Sequence, residues 1–155
     1  MYRTVQDFLN DWSSSVEGTL RVLESITDEK LGQAIVEGHN TLGWLGWHLA
    51  NAPVFFMKTL GLEIEPAGEK QPDKASEMVK AYIRVADDVK RAVEQNFTDE
   101  NMVENIETFA GVVPRGAVLR KLIDHQTHHR GQMTVLLRQA GLPVPGVMGP
   151  TKEGN

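Results

Sequence analysis

Residues 124–132 read DHQTHHRGQ and crowd three of the chain's five histidines into five consecutive positions, as His125, His128 and His129. Apolar residues recur on both sides of this stretch with the spacing of an amphipathic helix. We therefore predict one long helix from about residue 114 to about residue 140. The question of function is which of the three imidazoles face the protein interior.

The helical repeat separates these three histidines. At about 100° per residue, His125 and His129 fall within about 60° of the apolar stripe through Leu122, whereas His128 falls about 120° away. Two imidazoles four residues apart face the same way, so they can close on one metal ion from successive turns. His128 is left on the flank of the helix. There it can form a hydrogen bond, be exposed to solvent, or contact the metal ligands without binding the metal itself.

Three further segments carry the same periodicity and predict helices at about residues 4–26, 41–60 and 73–96. With the histidine helix they make four helices of roughly 20 to 25 residues, which is typical of an all-α four-helix bundle. The connections 27–40 and 97–113 exceed the roughly 2 to 8 residues usual in bundles. We expect these long connections to cover the bundle ends or to cross over.

One domain accounts for the chain, because 155 residues suffice to bury a core without disulfides or other staples. We assign residues 1–141 to the bundle, with Gly141 ending the last helix. The tail, residues 142–155, reads LPVPGVMGPTKEGN and holds three prolines. Such a tail cannot continue a helix, so we expect it to be extended.

Composition excludes several classes of function. A net charge of -5 and a pI near 5.5 argue against nucleic-acid partners, which need a basic surface. No stretch has the apolar run of a signal peptide or the roughly 20 apolar residues of a membrane span, so we expect a cytoplasmic protein without a membrane partner. The lack of cysteine excludes thiolate ligands and a cysteine nucleophile. Any thiol chemistry must therefore use a thiol from solution.

A third metal ligand is offered by the stretch GWLGWHLANAP, residues 43–53. His48 lies at the edge of the apolar stripe of its helix, and Pro53 removes the donor that would bond the Leu49 carbonyl, so a kink is expected beside it. A lone inward histidine is most often a neutral, hydrogen-bonded ring. Three inward imidazoles together favour a divalent cation, because each unsatisfied ring nitrogen would cost about 1 to 3 kcal/mol. His39, just before the helix, reads as a surface loop residue.

Large aromatic residues on the second helix predict an interaction surface. Trp44, Trp47 and Phe55 point about 80° to 160° away from the centre of the apolar stripe, so one core cannot easily bury all three. We expect a symmetric homodimer that covers them. The alternative is a monomer in which segments 27–40 and 97–113 fold over these rings.

The stretches NTLGWLGWHLA, HQTHHRGQMTVLLRQAG and VPGVMGP together resemble the DinB/YfiT-like metalloenzyme superfamily, and the resemblance covers nearly the whole chain. It implies a four-helix bundle in up-down-down-up order, commonly a homodimer, with a metal ion held by His48, His125 and His129. The angular argument reaches the same three histidines independently. Imidazole nitrogens suit zinc, nickel, copper and iron alike, and we expect zinc or nickel.

The same resemblance implies a function, because characterised relatives include thiol transferases that use bacillithiol or mycothiol. In such an enzyme a low-molecular-weight thiol bound at the metal attacks an electrophilic small-molecule substrate, which three protein ligands permit by leaving a coordination position open. A metal-dependent hydrolase of esters or amides is an alternative, but it needs a general base, and Asp124 lies about 160° from the stripe. A non-catalytic metal-binding dimer of the stress response is a third reading. No catalytic side chain is assigned.

Overall fold

The computed structural model describes residues 1–153 as a helical bundle with one small hairpin. Its elements are α1 (Val5–Glu24), α2 (Leu42–Thr59), α3 (Ala75–Asn96), α4 (Asp99–Met102), β1 (Asn105–Thr108), β2 (Gly111–Pro114) and α5 (Arg115–Gln139). A single 3₁₀ turn at Asp28–Lys30 follows α1. The mostly helical bundle predicted from the periodicity is confirmed, with every end of the four long helices within two residues of its predicted position.

Local chemistry sets the helix ends. The Thr41 side chain accepts a hydrogen bond from the Trp44 backbone N–H at 3.0 Å and so caps the start of α2. Pro114, predicted inside the first turn of the last helix, instead lies one residue before α5. Helix α5 ends at Gln139, and the predicted stop Gly141 follows the cap residue Ala140 with a φ of +75°, which suits a residue without a Cβ atom.

The contacts at the helix ends give the directions of α1, α3 and α5. The Tyr2 N–H donates to the Gly116 carbonyl at 3.2 Å, so α1 and α5 begin at the same end of the bundle. The Ala75 N–H donates to a carboxylate oxygen of Asp28 at 2.8 Å, which places the start of α3 beside the end of α1. Helix α3 is therefore antiparallel to α1 and α5.

Helix α2 is also antiparallel to α5. Thr59, at its end, lines a cavity together with Val118 near the start of α5, whereas Leu45 and Leu136 line another cavity at the opposite end. Around the bundle, α1 and α2 each contact both α3 and α5, so α1 lies diagonally opposite α2. The up-down-down-up order implied by the family resemblance is confirmed.

The segment 97–113, predicted only as a long connection, contains α4 and most of a β-hairpin. Asn105 pairs with Pro114 and Thr108 pairs with Gly111 in an antiparallel register. Gly111 has a φ of +112°, which closes the turn, and the Thr108 hydroxyl donates to its carbonyl at 2.7 Å. The turn presents Phe109 with 88% of its surface exposed. The strands are short, so alternation of apolar and polar residues gave little signal for them.

The tail after α5 packs back onto the bundle. Val144 is buried in the core, and the Arg138 guanidinium pairs with the Glu153 carboxylate at 2.8 Å. Residues 142–153 contain no helix, while residues 154 and 155 of the predicted tail lie outside the described residues. Across residues 1–153, no helix combines the length and the apolar character needed to cross a membrane.

Candidate metal centre

Three histidines converge where α2 packs against α5. His48 comes from α2, and His125 and His129 come from successive turns of α5. One ring nitrogen from each lies within 4.8 Å of the other two, and the Nε2 atoms of His48 and His125 are 3.0 Å apart. The structure thus brings together the three residues that the sequence analysis singled out, and their role as metal ligands stays a prediction.

The chemistry of this donor set fits a divalent cation. Burial, together with the smaller repulsion from the neighbouring histidines, lowers the pKa of His125 to about 4. Burial, followed by His129, also lowers the pKa of His48. Both rings are therefore neutral at pH 7, the form whose lone pair binds metal ions. Without a cation, one of the two facing Nε2 atoms must carry a proton toward the other, and the buried Nδ1 of His125 has no hydrogen-bond partner.

Gln132 orients His129 from the same helix. Its side-chain oxygen lies 2.7 Å from His129 Nδ1, one turn further along α5. An Nδ1–H that donates to this oxygen leaves the Nε2 lone pair for the centre. The sequence analysis missed this residue, although the spacing of three positions on a helix places the two side chains side by side.

We expect Gln132→Leu to weaken zinc binding by about 10- to 100-fold, because His129 loses the partner that holds its ring and tautomer. Competition titration against a chromogenic chelator measures the affinity. Gln139→Leu is the matched control, since Gln139 is an exposed glutamine at the end of the same helix. Equal affinities of the two variants would show that Gln132 does not orient a ligand.

A buried glutamine aligns the helices that carry the histidines. Pro53 lies inside α2 without ending it, and it leaves the Leu49 carbonyl without its usual helical donor. The fully buried Gln126 of α5 donates to that carbonyl at 3.2 Å, and its side-chain oxygen lies 3.1 Å from the Tyr82 hydroxyl and 3.3 Å from the Thr19 hydroxyl. Gln126 therefore joins all four long helices next to His125, and Leu49 is next to His48.

The other candidate polar residues lie outside the triad. His128 is exposed on the flank predicted for it, with its ring centroid 4.9 Å from that of His129. His39 is exposed in the loop before α2. Asp124 accepts a hydrogen bond from the Arg120 guanidinium at 2.9 Å, an ion pair at the surface.

The aromatic residues of α2 differ in how far they are covered. Trp47 is half-buried under the connector after α2, where a Cβ atom on Gly68 would lie 3.2 Å from its ring. The covering segment is thus neither of the two long connections proposed for that role. Trp44 stays 43% exposed and stacks on His48 with ring centroids 4.9 Å apart, and Phe55 stays 54% exposed.

A cavity of about 510 Å³ adjoins the triad. His125 and His128 lie on one side of it, and Phe55 and Phe56 of α2 face the hairpin residue Phe109 around it. The volume falls within the roughly 300 to 1,000 Å³ of small-molecule sites. The centre therefore has a space beside it that is large enough for a substrate.

The comparisons with known proteins agree with this architecture. The DinB family profile matches residues 1–154. The chain is 37% identical over 155 residues to the uncharacterized protein YrdA of Bacillus subtilis strain 168, covering 99% of this chain and 93% of that protein. A crystal structure of a DinB-like protein from Bacillus cereus ATCC 10987 matches with a TM-score of 0.88 and 40% identity, over 95% of this chain and 99% of its own.

A DinB-like protein from Bacillus subtilis, YjoA, is 19% identical and matches with a TM-score of 0.72, over 92% of this chain and 99% of its own. At that identity the match shows a shared fold. The family profile and the two closer matches span almost the whole chain and confirm the resemblance inferred from the histidine motifs. The chain belongs to the DinB family.

Proposed function

We propose that this protein is a divalent-metal-dependent S-transferase that joins a low-molecular-weight thiol to an electrophilic small molecule. The observation that carries the proposal is the convergence of three imidazoles, each with a ring nitrogen within 4.8 Å of the others. Within residues 1–153 no carboxylate joins this group. Three protein ligands leave at least one position open, which is the pattern of a catalytic centre and not of a structural one.

The side chains of the protein would hold the metal ion and the two reactants next to one another. His48, His125 and His129 would hold a zinc or nickel ion, which when bound supplies a Lewis acid that lowers the pKa of a coordinated thiol. Trp44 stacks on His48 and fixes the plane of that ring. The neighbouring cavity holds the second reactant close to His125.

The transfer balances without a redox partner. The thiol loses its proton to solvent, its sulfur forms a bond to the electrophilic carbon, and the leaving group departs with the electron pair of the broken bond. The chain has no cysteine, so the sulfur must come from a cosubstrate. The family resemblance carried by the histidine motifs implies this choice of chemistry.

Metal-dependent hydrolysis of an ester or amide is the second candidate. Asp124 and His128 line the same cavity as His125, and a carboxylate or an imidazole is the residue type that activates water as a general base. The ion pair between Asp124 and Arg120 weighs against this alternative, because the carboxylate is already engaged by the guanidinium at 2.9 Å.

Product analysis distinguishes the candidates. Zinc- or nickel-loaded protein is incubated with bacillithiol or mycothiol and monochlorobimane, and separately with p-nitrophenyl acetate without a thiol. We expect an S-conjugate that requires the metal, is lost in His129→Ala and persists in His39→Ala, which changes an exposed loop residue. Metal-dependent ester cleavage alone would support the hydrolase instead, and no product in either assay would favour a non-catalytic metal-binding dimer.

We also propose a homodimer formed by the exposed apolar surface beside the triad. Ile35, Val36, Trp44 and Val135 each leave 43% to 56% of their surface exposed, and Ile35 and Val135 line one shallow cavity. Clusters of exposed apolar side chains mark interfaces more often than isolated ones do. Light scattering is expected to give twice the chain mass of 17.2 kDa, and Val135→Glu should restore the single chain mass. A wild-type mass of one chain would disprove the dimer.

A further inference from the structure

The cavity beside the triad is lined by a connected series of aromatic rings. The His125 ring lies 5.6 Å from that of Phe56, which lies 5.7 Å from Phe55, which in turn lies 5.9 Å from Phe109. These centroid distances and the steep interplanar angles of 57° to 83° are those of favourable edge-to-face packing. The series runs from the tip of the hairpin to a predicted metal ligand.

The walls between the rings are also apolar. Val113 of β2 and Ala117 and Val118 of α5 contribute apolar surface to the lining. A polar group inside such a space would lose its hydrogen bonds to water without replacement, at about 1 to 3 kcal/mol. An apolar group gains free energy by leaving water for the same space. Polar residues also line the cavity, namely Thr59, Thr108, Lys121, Asp124 and His128, but most of its exposed lining is apolar. The cavity therefore favours a ligand with an apolar body.

The hairpin holds Phe109 at the outer end of this cavity. The Thr108 hydroxyl accepts from the Ala110 N–H at 3.2 Å and donates to the Gly111 carbonyl at 2.7 Å, which fixes the turn. Phe109 leaves 88% of its surface exposed, so its ring is accessible to a bound molecule. Phe109 and Phe55 both line the cavity with ring centroids 5.9 Å apart, so the Phe109 ring can contact a molecule that binds there.

We propose that the electrophilic substrate carries an apolar body, an aryl group or a medium-length alkyl chain, which occupies this cavity while its reacting end lies beside His125. The hairpin is then the element that determines specificity for that body. The reacting end rests on the function proposed above, whereas the binding of the apolar body does not. Continuity between the cavity and the triad favours a small molecule over a second copy of the chain as the occupant.

The first experiment measures the cavity alone, in the metal-free protein. The fluorescence of N-phenyl-1-naphthylamine, a neutral probe that is bright in apolar surroundings, should report about one saturable site per chain. Ala117→Phe fills the cavity and should lower the affinity for the probe by at least about 10-fold. The matched control is Ala92→Phe on α3, a half-buried alanine that does not line the cavity and should leave the affinity unchanged.

The second experiment measures the link to the metal. Alkyl hydroxamates of increasing length are titrated calorimetrically into zinc-loaded protein, and the affinity should rise by up to about fourfold per methylene until the cavity is full. Phe109→Ala should reduce this gain while the shortest member, acetohydroxamate, binds as before. Met148→Ala is the control, because Met148 is 87% exposed and lies in the tail, away from the cavity.

The remaining outcomes test the apolar site and the proposed function separately. Equal probe affinities in Ala117→Phe and Ala92→Phe, or hydroxamate affinities independent of chain length, mean that no apolar body binds here. A probe signal that disappears as the protein dimerises, together with dissociation of that dimer by Phe109→Ala, means that a second copy fills the cavity. Failure of zinc to bind, with the metal-free probe results intact, would reject the proposed function and leave the apolar site standing.

Discussion

His125→Ala is expected to weaken zinc or nickel binding by more than about 100-fold, beyond the effect typical of residues that only support a ligand. The reason is that His125 is one of three mutually adjacent imidazoles, with ring centroids 4.8 Å from His48 and 4.5 Å from His129. The remaining pair then supplies two nitrogens, which is too few to hold the ion tightly. Isothermal titration and elemental analysis of the purified variant measure the loss.

His128→Ala is the matched control, since it removes a neighbouring imidazole of the same helix that lies outside the triad. We expect it to keep affinity within about 10- to 100-fold of the original protein. Loss of the metal in His128→Ala with retention in His125→Ala would mean that the wrong face of α5 was assigned.

The stability of the metal-free protein gives an independent readout of the same residue. The buried Nδ1 of His125 has no partner, so His125→Leu should raise the free energy of unfolding by about 1 kcal/mol. The original protein keeps His125 neutral down to about pH 4, whereas the unfolded chain takes up this proton near pH 6.5. Its stability therefore falls as the pH drops between these values, and this part of the loss should be absent in the leucine variant. A purely structural histidine would give the opposite result, a destabilised variant at pH 7.

Arg130→Ala is expected to lower the free energy of unfolding by about 3 to 4 kcal/mol, equivalent to about 10 °C in Tm. Arg130 of α5 is only 6% exposed, and its guanidinium donates to the carbonyl and the hydroxyl of Ser15, both at 2.7 Å, and to the Thr19 hydroxyl at 3.2 Å. A fourth bond reaches Thr127 at 3.1 Å. Alanine removes these bonds and leaves a cavity between α1 and α5. Chemical denaturation followed by circular dichroism measures the change.

Two controls separate burial from charge. Arg138→Ala removes an arginine of the same helix that is paired at the surface with Glu153, and it should cost about 0.5 kcal/mol. Arg130→Met keeps much of the side-chain volume and avoids the desolvation cost of a buried charge. Its loss in free energy of unfolding should therefore fall between those of the two alanine variants. Equal stabilities of Arg130→Ala and Arg138→Ala would contradict a structural role for the buried guanidinium.

The site residues that could be predicted from the sequence are those whose inward direction follows from the repeat of a single helix. His125 and His129 share a face by helical repeat alone, and His48 lies on the apolar edge of its own helix, so an inward direction was readable for each. Their actual meeting depends on how α2 and α5 pack. That step came from the family resemblance and from the requirement that buried imidazoles find a partner.

The residues missed are those defined by distant partners or by short elements. Arg130 reads as an ordinary helical arginine, because its acceptors Ser15 and Thr19 lie more than 100 positions away on α1. The hairpin has four-residue strands, which are too short for a clear alternation. Its one readable signal was Gly111 between β-branched residues, a pattern that favours a turn between strands.

Pro53 limits how this site can be transferred into a designed helical bundle. Its missing N–H exposes one carbonyl on the buried face of α2, and Gln126 can reach that carbonyl in a single alignment of the two helices. A slip by one helical turn would move His48 about 5.4 Å along α5, away from the facing nitrogen that now lies 3.0 Å from it. Grafting three histidines alone would leave that slip unopposed. The minimal transferable unit is five residues, in which a proline and a glutamine set the helix register that brings the three histidines together.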